Sequence, residues 1–388
     1  MSNIEIRKVE TLHELKVFIQ FFYDLYRDNP CAVPYLYGEE MKTLRKDKNP
    51  AFEFCKADYF LAYRDGKVVG RVAAMINHWA NKRWNRHMVR FGWFDFINNI
   101  NVCRALLDTV AQWGKVKGMD CIGGPFGFED MDREGMMVEG FDRLSTLYIN
   151  YNNEYYPRFM DQLGFRKDND WVECRIKVPE VTPRKFALTA ELVQKRYNLQ
   201  VRKYGVLDFV KRGKGKELFD IVNRTYDGLY GFSHLSDDQI SRLVNDYIRR
   251  ADLNLVTCVV DANANDRMVG FGVSFPSFSR ALQHTRDGRL LPMGWWHLLR
   301  VMKWHKTDTV DLLLIAVLPE YRMKGANALI FNDLIGWYRR YGFKWAEAMP
   351  QMETNHGVLD QWQYLEAEQH RRHRAYIREI DEPIKKTE

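Results

Sequence analysis

Residues 319–331 read Pro-Glu-Tyr-Arg-Met-Lys-Gly-Ala-Asn-Ala-Leu-Ile-Phe. The mostly apolar run Asp311 to Val317 stands in front of them and predicts a strand; a helical pattern from Asn327 to Tyr341 stands behind. A strand that runs through a glycine-bearing turn into a helix leaves several backbone N–H groups unpaired at the helix N-terminus. That geometry receives phosphate. Gly325 lets the backbone approach an anion closely, and Asn327 can cap the helix or turn left-handed. Arg322 and Lys324 bring positive charge to the same place. One glycine is a weak signal, and a plain turn with solvated basic residues reads equally well from these residues alone.

Outward from this turn, the second half predicts a strand at 199–203 and helices at about 215–229 and 236–250. Ser236-Asp237-Asp238 caps the second of these helices. Strands at 255–260 and 268–275 follow, then the strand and helix already described, a strand at 345–352, a helix at 358–364 and a last strand at 375–380. The first half repeats the order. A strand at 4–9 and a helix over 12–25 precede a hairpin, 59–63 and 68–76, turned by Asp65-Gly66. A strand at 89–97, a helix to Trp113, a strand from Cys121, a helix at 155–163 and a strand at 171–178 complete it. The equivalent of the basic turn is Asn98-Asn99-Ile100-Asn101, with neither glycine nor basic residue. The expected fold class is therefore α/β with mixed sheets (α+β), in two similar units, each a mostly antiparallel twisted sheet flanked by helices. Pro179 and Pro183 suggest domains at 1–178 and 196–388 with a linker at 179–195.

Composition narrows the function classes. The chain has 388 residues, 46% hydrophobic and 28% charged, with a net charge of +7. That suits a globular protein with an anionic cofactor or an acidic surface as partner; no nucleic-acid motif accompanies the dispersed basic residues. The six cysteines form no CxxC pair, so reduced thiols and a cytoplasmic setting are expected, with no metal. No apolar run reaches the ~18 residues a membrane span needs. Around residues 295–306, Trp295, Leu298, Leu299 and Met302 share a helical face with Arg300, Lys303 and Lys306 off it, a pattern of core packing or of peripheral contact with the inner membrane.

The segment VLPEYRMKGANALI resembles the acyl-CoA loop of the GCN5-related N-acetyltransferase (GNAT) superfamily, and YYPRFMDQLGFRK resembles the end of a GNAT unit. Residues 123–156, and GRLLPMGWWHLLRVMKWHKTDTVDLLLIAVLPEYRMKGAN in the second half, resemble a narrower tandem-GNAT group of YghO-like proteins and bacterial ceramide synthases. The resemblance implies one acyl-CoA or acetyl-CoA per chain, held by the second unit at Val317, Leu318, Arg322, Met323, Lys324, Gly325, Ala326, Asn327 and Asn355. Asn327 departs from the family's glycine or alanine at the last position.

It also implies an N-acyltransferase acting on a primary amine, with a long-chain (sphingoid) base among the candidate acceptors. A non-catalytic GNAT-fold binding protein, or an N-acetyltransferase of a small soluble amine, is the alternative. Such chemistry needs a base for the ammonium and an acid for the thiolate. The acidic loop with Glu129, Asp130 and Asp132 is expected to attract the cationic amine, or else to be a solvated surface. Glu134 falls at the group's acidic position. Glu353, like Glu347, lies on or after the strand that admits the pantetheine, and His356 is a further candidate base. Tyr364 is a candidate acid, although family spacing selects Trp362.

Overall fold

A computed structural model describes residues 4–129 and 131–381. In the first half, the Thr11 hydroxyl and the Glu14 carboxylate close a reciprocal cap that starts α1 (Leu12–Leu25), after a short β1 (Glu5–Lys8). Helix α2 (Tyr37–Leu44) follows. Asp65 and Gly66 both take positive φ, the condition for the tight turn joining β2 (Cys55–Arg64) to β3 (Lys67–Asn77). Next come α3 (His78–Trp84), β4 (Met88–Phe96), α4 (Ile100–Lys115), β5 (Cys121–Gly124), β6 (Met136–Glu139), α5 (Tyr155–Gln162) and β7 (Arg166–Lys177).

The stretch expected to be a linker is instead α6 (Arg184–Tyr197), since Phe186, Ala190 and Val193 recur at helical spacing and are buried. Then come β8 (Leu199–Arg202), α7 (Val206–Lys211), α8 (Lys214–Tyr226), and α9 (Asp237–Asp246) capped by Ser236 and Gln239. Strands β9 (Val256–Asp261) and β10 (Arg267–Pro276) lead to α10 (Ser279–Gln283) and α11 (Gly294–Trp304). The fold continues with β11 (Thr309–Val317), α12 (Pro319–Arg322) and α13 (Ala326–Tyr341). The strand expected at 345–352 is two pieces, β12 (Trp345–Ala348) and β13 (Gln351–Met352), on either side of Met349-Pro350. Helix α14 (His356–Leu359) is only one turn, and β14 (Ala367–Glu379) starts eight residues before the expected Ala375.

The chain forms two compact units. Unit 1 is Met1–Val172 with Ser279–Leu298 and His370–Glu388; unit 2 is Glu173–Phe278 with Leu299–Gln369. A cut at residue 178 therefore does not match the structure. The reason is strand pairing: β14 pairs antiparallel with β5, Tyr376 opposite Gly124, and stands between β5 and β7 in the order β1-β2-β3-β4-β5-β14-β7. In unit 2, β7 pairs with β12 through Arg175 to Lys177, and the order is β7-β12-β11-β10-β9-β8. Within each sheet one internal pair is parallel, β4 with β5 and β11 with β12. The unit 1 core is packed from sheet residues such as Val72, Phe91 and Ile122 against Leu106 and Val110 of α4.

Candidate functional site

A parallel pair whose strands part after a few residues makes a fork, and the two forks differ. In unit 2, β11 and β12 pair from Thr309 opposite Trp345 to Leu312 opposite Ala348. The Met349 N–H still donates to Leu312 O (3.2 Å), but there the pairing stops. From Leu313 to Val317, β11 has β10 on one side and, among the described residues, no strand on the other. Leu313, Leu314 and Ile315 are accordingly half-buried. A bulge opposite Val273 and Ser274 leaves Leu313 without a register partner. The Tyr226 hydroxyl donates to Ile315 O (3.4 Å), so the end of α8 lies beside this open stretch.

The fork leads to the basic turn. Leu318 stays tied to Val269 O, and the Arg322 side chain folds back onto Val317 O (3.1 Å). Lys324 lies 4.2 Å from the centre of the Tyr321 ring, and Met323 is fully in solvent. Gly325 takes a left-handed φ of +84° and stands at the N-cap of α13 without any side-chain cap. Ala326 and Asn327, as the first helical residues, have no intrahelical acceptor for their N–H groups. A Cβ on Gly325 would come within 2.9 Å of Thr189 Cγ2 on α6, so glycine is required by space as well as by φ.

In unit 1 the corresponding fork is closed. Strands β4 and β5 pair only from Met88 to Arg90, but the chain after β5 does not leave: the Phe126 N–H donates to Phe91 O (2.8 Å). A Cβ on Gly92 would lie 2.1 Å from Phe126 O, which measures how tightly the wedge is filled. The start of α4 is also occupied, because the Asn99 side chain accepts from the N–H groups of Asn101 (2.9 Å) and Val102 (3.4 Å).

At the closed end of the unit 2 fork, sequence reasoning missed Asp311. It stands in register with Glu347, which is in turn in register with Arg175 (3.6 Å). Ser274 bonds Tyr338 of α13, so its neighbour Phe275, and with it Asp311 and Glu347, face the other side of the sheet. Asp311 is 1% exposed and Glu347 7%. The available signal was one acid inside the otherwise apolar strand Thr-Val-Asp-Leu-Leu-Leu-Ile-Ala-Val.

The other candidates fall as follows. Asn355 begins α14 with its side chain making no cap bond; Glu353 is half-buried, and His356 is exposed. Tyr364 is exposed at one edge, held between Lys185 and Phe186 of α6. Trp362 is buried and donates to Gln351 Oε1 (3.1 Å), a packing role. Glu129, Asp132 and Glu134 belong to unit 1. The Asp132 carboxylate is taken up by its own loop, accepting from the Phe128 N–H (2.8 Å). Glu129 and Glu134 are half-buried beside it, and Asp130 lies outside the described residues. Arg133 binds Glu40 (2.5 Å) and fixes the loop to α2. All six cysteines are free thiols; burial pushes Cys174 up to about 11 and Cys258 up to about 12, so neither thiol in unit 2 is a nucleophile at neutral pH.

No family model matches the chain. In sequence it is 27% identical over 391 residues to Protein YghO of Escherichia coli K12, spanning 97% of this chain and 95% of that protein. It is 24% identical over 388 residues to a bacterial ceramide synthase of Caulobacter vibrioides, spanning 92% and 94%. In fold it is similar to a tandem GNAT protein from the clavulanic acid biosynthesis pathway, with a TM-score of 0.58 at 11% identity, covering 98% of this chain and all of that one. A GCN5-related N-acetyltransferase from Sphaerobacter thermophilus gives 0.54 at 11% identity, covering 97% and 96%.

Proposed function

We propose that this chain, which has the tandem GNAT fold, is an acyl-CoA-dependent N-acyltransferase that moves an acyl group from a CoA thioester to a primary amine. The observation that carries this reading is that the one open fork ends at an uncapped, basic helix N-terminus, whereas the other fork is filled and its helix capped. A pantetheine arm is an extended chain with amide groups, and the free edge from Leu313 to Val317 offers it backbone partners as an added strand. The pyrophosphate then falls to the N–H groups of Ala326 and Asn327, with Lys324 alongside.

The thioester comes to the closed end of the fork, beside Leu313 and the Asp311–Glu347 pair. Glu347, directly or through a water, takes a proton from the acceptor ammonium, and the Asp311 carboxyl beside it offers the cation a further oxygen acceptor. The amine lone pair attacks the thioester carbonyl carbon, the C–N bond forms, the C–S bond breaks, and the thiolate leaves to be protonated. Tyr364 and His356, both reached by solvent on the segment that follows β12, are the candidate proton carriers. In this reading the acyl group passes directly from the thioester to the amine. The name of one relative, a ceramide synthase, supports a long-chain base as the acceptor.

The test mixes the protein with long-chain acyl-CoA or acetyl-CoA and a panel of amines, and reads amide and free CoA by mass spectrometry. Amide from a long-chain base is expected, with Glu347→Gln lowering kcat about 100-fold while the melting shift caused by CoA persists. No melting shift with millimolar CoA overturns the reading. A shift without amide from any amine favours a binding protein that does not turn over, and amide only from acetyl-CoA and a small amine favours the N-acetyltransferase.

A further inference from the structure

We propose that residues 289–306 form a docking surface for an anionic lipid bilayer. This segment departs from the rest of the surface in two independent ways. Leu290, Leu291, Met293, Trp295, Trp296 and Trp304 are all exposed within 15 residues, Leu291 to 75% and Trp304 to 52%. In the same span, from Gly288 to Thr307, there is no acidic residue, while Arg289, Arg300, Lys303 and Lys306 supply four positive charges.

The local structure presents these groups outward. Val301 is the buried residue of α11 behind Gly294, so the helix lies on the protein by a narrow edge and leaves a wide face in water. Trp295, Leu299 and Met302 line that face, and Lys303 and Arg300 follow along its flank. The Trp295 indole N–H is already satisfied by Pro292 O (3.1 Å), so the ring enters an apolar layer without a stranded donor. Arg300, Lys303 and Lys306 have no acidic partner within 4 Å among the described residues, unlike Arg289, which pairs with Asp287 (3.1 Å). The approach to the helix is held rigid within unit 1: Tyr37 N–H donates to Gly288 O (3.1 Å), Gln283 to Pro30 O (2.7 Å), and His297 stacks on His284.

An apolar face alone fits a second copy of the chain or any greasy partner. The flanking cations decide for lipid, because Trp and Leu partition at the headgroup boundary while Lys and Arg meet the phosphates beside them. The helix has 11 residues and no charge-free length to cross the bilayer, so it lies in the surface plane.

The proposal goes beyond the catalytic reading and is tested with no acyl donor present, so either can fail alone. The full chain is spun down with vesicles of phosphatidylglycerol and phosphatidylcholine in equal parts, and with phosphatidylcholine alone. Binding is expected to the anionic vesicles only and to weaken as salt rises. Arg300→Glu with Lys303→Glu is expected to weaken it about tenfold or more. Leu291→Ser with Trp295→Ser is expected to weaken it similarly while leaving the melting temperature unchanged, since both side chains are solvent-exposed. No binding to anionic vesicles at low salt overturns the proposal, and so does full retention by both double variants. A concentration-dependent doubling of mass in solution, lost in Leu291→Ser/Trp295→Ser without any vesicle binding, assigns the face to a second copy instead.

Discussion

Gly325 does two jobs that substitution separates. It supplies the left-handed corner of the turn, and it lets α6 approach through Thr189 and Val193. Gly325→Asp is therefore expected to lower the melting temperature of the free protein, since a left-handed φ costs an ordinary residue about 1–2 kcal/mol, and also to abolish the response to CoA. Loss of response in that variant alone is ambiguous. Lys324→Glu reduces the ambiguity: its side chain lies over the Tyr321 and Tyr197 rings, contacts of about 0.5–1 kcal/mol each, and its loss leaves the backbone of the turn in place. It is expected to keep a melting temperature near that of wild type and weaken CoA about tenfold, as one charge-assisted contact of about 1.4 kcal/mol. Calorimetric titration with CoA reads this directly, and an unchanged affinity removes the turn from the cofactor site. Arg322 is less clean to mutate, because its guanidinium is already bonded to Val317 O.

At the scale of elements, α4 and α13 occupy equivalent places and start in opposite ways. Asn99→Ala is expected to destabilise unit 1 by about 1 kcal/mol, the usual worth of a cap, and to leave CoA binding untouched; chemical denaturation and calorimetry read the two halves of that statement. A second element-level prediction concerns Asp170 on β7, whose carboxylate accepts from Arg374 Nε (2.8 Å) and Arg372 (3.1 Å) on β14. Burial alone would raise its pKa, but the Arg374 bonds and the Lys167 charge outweigh it and hold the group below the ordinary value. A depressed carboxylate contributes fully above its unfolded pKa of about 4 and loses its contribution as pH falls through the folded value. Asp170→Asn should thus cost about 3 kcal/mol at pH 7 and flatten the acid limb below pH 4 in urea melts taken across pH.

The same elements show what a sequence discloses. The Asp65-Gly66 hairpin, the Ser236 cap and the basic turn were legible because each is decided by neighbours in the chain. Helix α6 was not, because Pro179 and Pro183 read as a linker, and exposed Leu188 and Leu192 blur its apolar face. The early part of β14, Glu-Gln-His-Arg-Arg-His-Arg, reads as a solvated charge run, yet Arg371 and His373 are buried there through contacts with Leu144 O and Asn150 O. The fork acids were hidden for a similar reason: only strand register sets Asp311 beside Glu347.

For the molecule as a whole, the consequential fact is that neither unit is a contiguous piece of chain. Unit 1 takes the strand beside β5 from residues 370–381, after the whole of unit 2 in sequence, and unit 2 begins inside β7. A fragment ending at Val178 holds every helix and strand that the sequence assigns to a first domain, and local propensity gives no reason for it to fail. It lacks β14, however, and with it Ala375 and Tyr376, both buried, and the pairing of Tyr376 to Glu379 with β5. It also takes both arginines away from Asp170, leaving Lys167 (3.2 Å) as the cation beside that carboxylate. The loss of a paired strand with buried side chains is large against the roughly 5–15 kcal/mol of stability a domain holds. Fragment 1–178 is therefore expected to give broad, non-cooperative melting and to aggregate through the bare edge of β5. Fusing residues 279–298 and 366–381 behind flexible linkers, which returns both missing pieces of unit 1, should restore a cooperative transition. A sharp melt from 1–178 alone would show that β14 is dispensable and that the contiguous boundary describes an autonomous domain after all.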